Sequence, residues 1–138
     1  MRLPLVRMPH ILKNKNFDIF IDLPNENYNF SRFDWTGKIV KVKFQNILIS
    51  GIERTDVNEG NNFGKGFYNE FGIDNALGFD EVKNGEWFHK IGVGVLKKEG
   101  DKYLFHKNYE TRPAKFKSIV ESNRVLITCR SEHVNGYS

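Results

Sequence analysis

The segment from Gly64 to Gly94 gathers the residue types that could do chemistry in this chain. It holds seven of the 12 glycines and six large aromatic side chains. It also holds five carboxylates: Glu70, Asp74, Asp80, Glu81 and Glu86. Aromatic rings and carboxylates are groups that contact polyols, and glycine permits left-handed backbone and close approach of a ligand. These features predict an ordered loop region that contributes to a binding site.

The carboxylates of this segment have three possible chemical roles. Asp80, Glu81 and Glu86 could act as an acid/base pair, as metal ligands or as acceptors from sugar hydroxyls. Neighbouring residues of an extended chain point in opposite directions, so we do not expect Asp80 and Glu81 to converge on one atom. Turn caps and solvated surface charges are the alternative interpretation.

The tryptophans and histidines each have more than one possible role. Trp35 and Trp87 could stack on a sugar ring, although large aromatic residues more often lie partly in the core, which we favour. His89, beside Lys90, could donate to a ligand or be a satisfied structural histidine. The four histidines show no HxH or HxxxH spacing, and no acid or cysteine cluster completes a zinc set, so we do not expect a metal site.

The chain also lacks two common catalytic signatures. No GxSxG nucleophile elbow occurs, and GKGFYN, which begins at Gly64, lacks the GK[ST] ending of a phosphate-binding loop. A P-loop nucleotide enzyme is therefore excluded.

Composition and charge restrict the class of protein. The 138 residues fit one domain, 1–138, with a formal charge of +4 and a pI near 9.2. The basic residues are dispersed, and Gly64 to Gly94 is locally acidic with a net charge of −2. No RNP-like motif is present, so we do not expect nucleic-acid binding. No apolar run is long enough for a signal peptide or membrane span, so we expect no membrane partner and a cytoplasmic protein.

Period-2 alternation predicts most of the secondary structure. In FDIFIDL, Phe17 to Leu23, the apolar residues share one face and Asp18 and Asp22 lie on the other, before Pro24 ends the strand. KIVKVKF, Lys38 to Phe44, is followed by NILIS, which predicts a hairpin.

Two further hairpins are expected near the end of the chain. One pairs Gly92–Lys98 with Lys102–Lys107. The other pairs Ala114–Glu121 with Arg124–Arg130, which places Cys129 among apolar residues as a small buried hydrophobe. Only Asp80–Lys90 could hold a helical turn. The pattern predicts an all-β fold, an antiparallel β-sandwich.

Four stretches of the sequence resemble the N-terminal half of galactose mutarotase-like, or aldose 1-epimerase-like, proteins. They are SRFDWTGKIVKVKF, GKGFYNEFGID, LGFDEVKNGEWFHKIGVGVLKK and the closing NGYS. The resemblance covers roughly Tyr28 to Ser138 and looks closest to a poorly characterised branch of the superfamily. It implies the N-terminal portion of a β-supersandwich, truncated on its C-terminal side, whose concave face binds a monosaccharide or sugar derivative.

The resemblance also implies which reaction the family catalyses and which catalytic residues this chain lacks. Family members interconvert sugar anomers by general acid/base catalysis with a His and a Glu, both from the second half of the fold, and need no cofactor. Neither residue has a counterpart in this chain, so no catalytic residue is assigned, and His133 precedes the NGY motif rather than matching the family histidine.

The resemblance places a sugar pocket beside the Gly64 to Gly94 segment. The expected substrate-binding residues are Asn69, Glu70, Asp80, Glu81 and Lys90. The chain is thus expected to be the carbohydrate-binding portion of an aldose 1-epimerase-like protein, inactive alone. The alternative is a non-catalytic sugar-binding or interaction module. Unpaired sheet edges would also favour self-association.

Overall fold

The computed structural model describes residues 7–55 and 62–138, and within these ranges the fold is all-β. Its regular elements are antiparallel strands in three sheets, together with one 3-10 turn at Phe79–Glu81, which overlaps the first two residues of Asp80–Lys90, the segment expected to hold a helical turn. The predicted all-β, sandwich-like class is therefore confirmed. No helix in the described ranges is long and apolar enough to cross a bilayer.

The first sheet has the order β1 (His10–Lys13), β2 (Phe17–Asp22), β3 (Lys38–Phe44) and β4 (Ile47–Leu48). The predicted β3–β4 hairpin is present. Its two turn residues, Gln45 and Asn46, have φ values of 48° and 65°, the left-handed pair that matches the twist of flanking strands.

A bulge between β2 and β3 changes the environment of Asp22. Phe20 pairs with Lys41 but Ile21 pairs with Ile39, which brings Asp22 opposite Lys38. Both side chains are buried, with 1% and 0% exposure.

Lys38 is held by backbone at the end of this sheet. Its ammonium donates to the carbonyls of Pro24 and Tyr28 at 3.1 Å each and also to that of Glu26. The turn that ends β2 therefore folds over the charged pair instead of leaving Asp22 in solvent.

The second sheet consists of β5 (Trp87–Lys90), β6 (Gly94–Lys97) and β7 (Thr111–Pro113). The prediction that Lys102–Lys107 is the partner strand was wrong, because β6 pairs with β5 and β7 instead. Tyr103 lies inside the Lys102–Lys107 stretch with only 9% exposure. This stretch thus supplies core side chains from irregular backbone.

The third sheet is the hairpin β8 (Lys115–Val120) and β9 (Val125–Arg130), as predicted. Phe116 pairs with Cys129, and the Phe116 ring stacks on Trp35 at 5.7 Å. Cys129 itself is exposed, so its prediction as a buried hydrophobe was wrong. It is the second-last residue of β9.

The core is aromatic and comes largely from loops around the second sheet. Its members include Tyr28, Phe33, Trp35, Phe79, Phe88, Tyr103 and Tyr109. One polar link holds distant parts of it together. The buried Ser31 receives a hydrogen bond from the Tyr109 N–H at 3.0 Å, and its own N–H donates to Asn108 Oδ1 at 3.1 Å.

Candidate functional site

A cavity with a volume of about 1010 Å³, called the main cavity, lies among the described residues. It lies where the β5–β6 turn meets β8 and the chain that follows β9. Its polar lining includes Asp34, Thr36, Lys115, Ser131, Glu132 and His133, and its apolar lining includes Phe71, Leu77, Ile91 and Pro113. This mixture of polar and apolar groups is typical of small-molecule sites.

Asp34 is fixed against the β5–β6 turn. Its Oδ1 accepts from the N–H of Thr36 at 2.8 Å and from its hydroxyl at 2.6 Å, and the next residue, Trp35, donates its N–H to the Gly92 carbonyl at 3.0 Å. A Cβ at Gly92 would lie 1.8 Å from Asp34 Oδ1, and the φ of Gly92 is +76°. Only glycine allows this approach, so the turn and the carboxylate form one unit.

His89 and Ser131 form a second polar group in the main cavity. Ser131 Oγ lies 3.3 Å from His89 Nδ1. His89 Nε2 lies 3.0 Å from the Tyr137 carbonyl oxygen and 3.4 Å from that of Val134. The imidazole is 5% exposed and the serine half-buried, so the pair is screened from bulk water but lines the cavity.

Glu70, a predicted site residue, is bound by an arginine. Arg32 donates from Nε to Glu70 Oε1 at 2.7 Å and from Nη2 to Oε2 at 3.2 Å, in a bidentate pair. The same guanidinium lies over the rings of Phe33 and Phe105 at 4.5 and 4.8 Å and pairs with Glu53 at 3.2 Å. The carboxylate of Glu70 is thus already occupied, beside a smaller cavity of about 410 Å³.

Lys90, a second predicted residue, borders the main cavity, but its ammonium points into the core. It donates to the Tyr103 hydroxyl at 2.8 Å and to the Phe71 carbonyl. Burial lowers the pKa of Lys90 to about 8, although the charge of Glu70 opposes that fall. Lys90 and Glu70 are therefore close enough for their charges to interact.

The other three predicted residues lie elsewhere. Asn69 is exposed, and its carbonyl accepts from the Asp34 N–H at 2.9 Å. Asp80 accepts from the Asn75 amide, whereas Glu81 accepts from the Tyr137 hydroxyl at 2.9 Å. Asp80 and Glu81 thus have different partners, and the expectation that they do not converge on one atom is confirmed.

The tryptophans are engaged within the fold. Trp35 is 4% exposed and donates its indole N–H to the Phe30 carbonyl at 2.8 Å, which confirms the favoured core assignment for this residue. Trp87 is half-buried, and the Arg112 guanidinium lies 4.0 Å from its ring centre. Neither ring is placed as an open sugar-stacking surface.

Cys129 lines the main cavity close to Asp34. Partial burial, and then the negative charge of Asp34, raise the pKa of its thiol, which disfavours the nucleophilic thiolate. Across residues 7–55 and 62–138, no group of three or more His, Cys, Asp or Glu side chains is arranged to hold a metal ion.

Sequence reasoning missed most of the main cavity. Asp34 and Ser131 lie outside the Gly64 to Gly94 segment, and His89 was considered as a ligand donor or a satisfied structural histidine, not as a base. The Ser131–His89 contact joins residues 42 positions apart, so no local spacing could have revealed it.

Comparisons with known proteins add no assignment. No protein-family model, curated protein or solved structure matches the chain. The resemblance to galactose mutarotase-like proteins therefore stays a prediction made from the sequence motifs.

Proposed function

We propose that this chain binds a carbohydrate in the main cavity, as the sugar-binding portion of an aldose 1-epimerase-like protein. The observation that carries the proposal is the mixed lining of that cavity. Asp34, Thr36, Ser131 and Glu132 offer acceptors and donors suited to hydroxyl groups, and Ile91 adds apolar surface suited to the C–H face of a sugar.

The size of the cavity agrees with a small ligand. Its volume of about 1010 Å³ lies at the upper end of the roughly 300 to 1,000 Å³ that small-molecule pockets span. A monosaccharide or a substituted sugar would fit with water in the remaining space. The cationic Lys115 and Arg130 in the lining favour a sugar that carries an anionic substituent.

The proposed binding residues differ from those predicted from the sequence. Of Asn69, Glu70, Asp80, Glu81 and Lys90, only Lys90 borders the main cavity, and its ammonium is engaged by Tyr103 and Phe71. Sugar mutarotation is proposed for the complete protein only. Since the chain holds no counterpart of the family's acid and base, exchange NMR of sugar anomers should show no acceleration by the 138-residue chain over buffer.

A matched pair of glutamates tests where the sugar binds. Glu132 and Glu121 each pair with an arginine, at 3.0 Å for Arg112–Glu132 and in contact for Arg124–Glu121, but only Glu132 lines the main cavity. Glucose, galactose and their 6-phosphates would be titrated by saturation-transfer difference NMR. For any sugar that binds, Glu132→Ala should weaken affinity about tenfold, or about 1.4 kcal/mol, whereas Glu121→Ala should leave it unchanged.

Two results would count against the proposal. A flat response across all four ligands would remove carbohydrate binding, both as an epimerase portion and as a non-catalytic module. Equal loss in the two variants would place the ligand outside the main cavity.

Self-association through sheet edges is proposed alongside this function. In β4, which ends the first sheet, Ile47 and Leu48 are 65% and 57% exposed. Exposed apolar edge strands favour pairing with another chain. Light scattering over a tenfold concentration range should detect a rising mass, and Leu48→Lys should suppress it. A constant monomer mass would contradict the idea.

A cytoplasmic location is proposed as well, and localisation of a tagged protein would test it.

A further inference from the structure

The Ser131–His89 pair has the arrangement of an activated nucleophile. Activation requires a hydroxyl within reach of a base, and a third group that orients the base. Ser131 Oγ and His89 Nδ1 are 3.3 Å apart, within the range seen for such pairs before a ligand tightens them. The orienting groups are backbone carbonyls on the far side of the ring.

The hydrogen-bond partners define the tautomer of His89. Both groups that face Nε2 are carbonyl oxygens, of Tyr137 at 3.0 Å and Val134 at 3.4 Å, and carbonyls only accept. Nε2 must therefore carry the hydrogen. In the neutral ring this leaves the lone pair on Nδ1, directed at Ser131, so the serine hydroxyl donates to it.

The ring is also held in place. The backbone N–H of His89 donates to the Leu77 carbonyl at 3.0 Å, and the Tyr137 ring packs edge-on against the imidazole at 6.1 Å between centres. A base that is fixed before the ligand arrives needs little reorganisation during proton transfer.

Ser131 borders space that a small ligand could occupy. Ser131 lines the main cavity together with the cationic residues Lys115 and Arg130. Cations beside a nucleophile favour the negative charge that develops on a carbonyl oxygen under attack. The apolar Leu77 and Ile91 on this cavity give a small acyl group surface to contact.

We propose that Ser131 is an activated nucleophile, with His89 as its general base, and that it accepts the acyl group of a small carboxylic ester. The Ser131 oxygen bonds to the ester carbon while Nδ1 takes the hydroxyl proton. The carbon–oxygen bond to the alcohol then breaks, and the alcohol leaves with that proton. Water hydrolyses the acyl-serine in the same way, which regenerates Ser131 and releases the acid. The esterase proposal does not rest on the proposed carbohydrate binding, although both use Ser131 and the main cavity.

Covalent labelling tests the proposal on the whole chain. A fluorophosphonate forms a bond to serine oxygen with loss of fluoride, and p-nitrophenyl acetate transfers an acetyl group. After either reagent, peptide mass spectrometry would compare Ser131 with Ser118, another half-buried serine on β8 that does not line the main cavity. Ser131 should be labelled at least tenfold faster, because general-base assistance contributes about 10²–10⁴-fold. Equal labelling of the two serines, or none on Ser131, overturns the proposal.

A variant of the base provides the second measurement. In His89→Gln the side-chain amide can still donate to the Tyr137 carbonyl but cannot accept the serine proton. Labelling of Ser131 should fall at least tenfold while labelling of Ser118 and the near-UV circular dichroism stay unchanged. Undiminished labelling of a folded His89→Gln variant contradicts the role of His89. If that variant does not fold, the comparison of the two serines in the unmodified chain still decides the question.

Discussion

Lys90 donates a hydrogen bond to the Tyr103 hydroxyl at 2.8 Å within the aromatic core. Lys38 is similarly enclosed, and burial lowers the pKa of each lysine to about 8. An unfolded lysine keeps its proton to about pH 10.4. Between pH 8 and 10 the unfolded chain therefore binds more protons than the folded one, and the free energy of unfolding should rise with pH.

This rise can be measured by urea unfolding from pH 7.5 to 9.5. Each lysine should add on the order of 1 to 2 kcal/mol over that interval. A Cys129→Ala background is useful because the raised pKa of that thiol acts in the opposite direction. Lys90→Gln should reduce the slope, and a flat profile in the Cys129→Ala chain would contradict the depressed lysine pKa values.

Gly92→Ala should be strongly destabilising. The new methyl would meet Asp34 Oδ1 and would impose a φ of +76° on a non-glycine residue. Gly85 has a similar φ of +87°, but no atom of the described residues lies within 4 Å of the place its methyl would take, so Gly85→Ala should cost only about 1 kcal/mol of backbone strain. Urea unfolding should show a loss larger by about 1 to 3 kcal/mol for Gly92→Ala. Equal losses of stability in the two variants would mean that Asp34 moves away from the new methyl group at little energetic cost.

Two buried tyrosines should respond differently to loss of the hydroxyl. The Tyr28 oxygen accepts from the backbone N–H groups of Arg32 and Phe33 at 3.1 and 3.0 Å, so Tyr28→Phe should cost about 1 to 3 kcal/mol. The Tyr68 hydroxyl is buried with no protein partner among the described residues, so Tyr68→Phe should be nearly neutral or stabilising. Thermal unfolding of the two variants separates these outcomes. A loss above about 1 kcal/mol for Tyr68→Phe would indicate an ordered water on its hydroxyl.

The β3–β4 turn offers a stabilising change. Asn46 has a φ of 65° at the second turn position, where glycine is unstrained, so Asn46→Gly should raise stability by roughly 0.5 kcal/mol. Asn25 lies in another turn but is not among the positive-φ residues, and Asn25→Gly should give no gain. Calorimetric melting of both variants would reveal the difference. Stabilisation by both would mean that the left-handed backbone is not the cause.

The strands that were predicted correctly are determined by their local sequence. FDIFID and KIVKVKF alternate between apolar and polar residues over most of their length, and Ser122 and Asn123 separate the other two runs, so period and turn chemistry were sufficient. Lys102–Lys107 has apolar residues too, but Tyr103 packs in the core from irregular backbone. Choosing between pairing and burial there depends on side chains that lie far away in the sequence.

The site was less predictable for the same reason. Glu70 and Lys90 were expected to meet a ligand, yet the contacts that engage them come from Arg32 and Tyr103, which no sequence spacing connects to them. Asp34 reaches the main cavity only because the glycine at position 92 lets the chain approach. Contacts of this kind follow from tertiary packing, which a single sequence does not reveal.

The hydrogen bonds of Ser31 with residues 76 to 78 positions further along the chain also have a kinetic consequence. They form only after a very long loop closes, and the entropy of that closure delays the contacts that would reward it. During synthesis, the first sheet can pair locally. The aromatic loop beside it cannot complete the hydrogen bonds of Ser31 until Tyr109 has been synthesised. We therefore expect the aromatic core to assemble late, and until then exposed apolar strand edges favour aggregation.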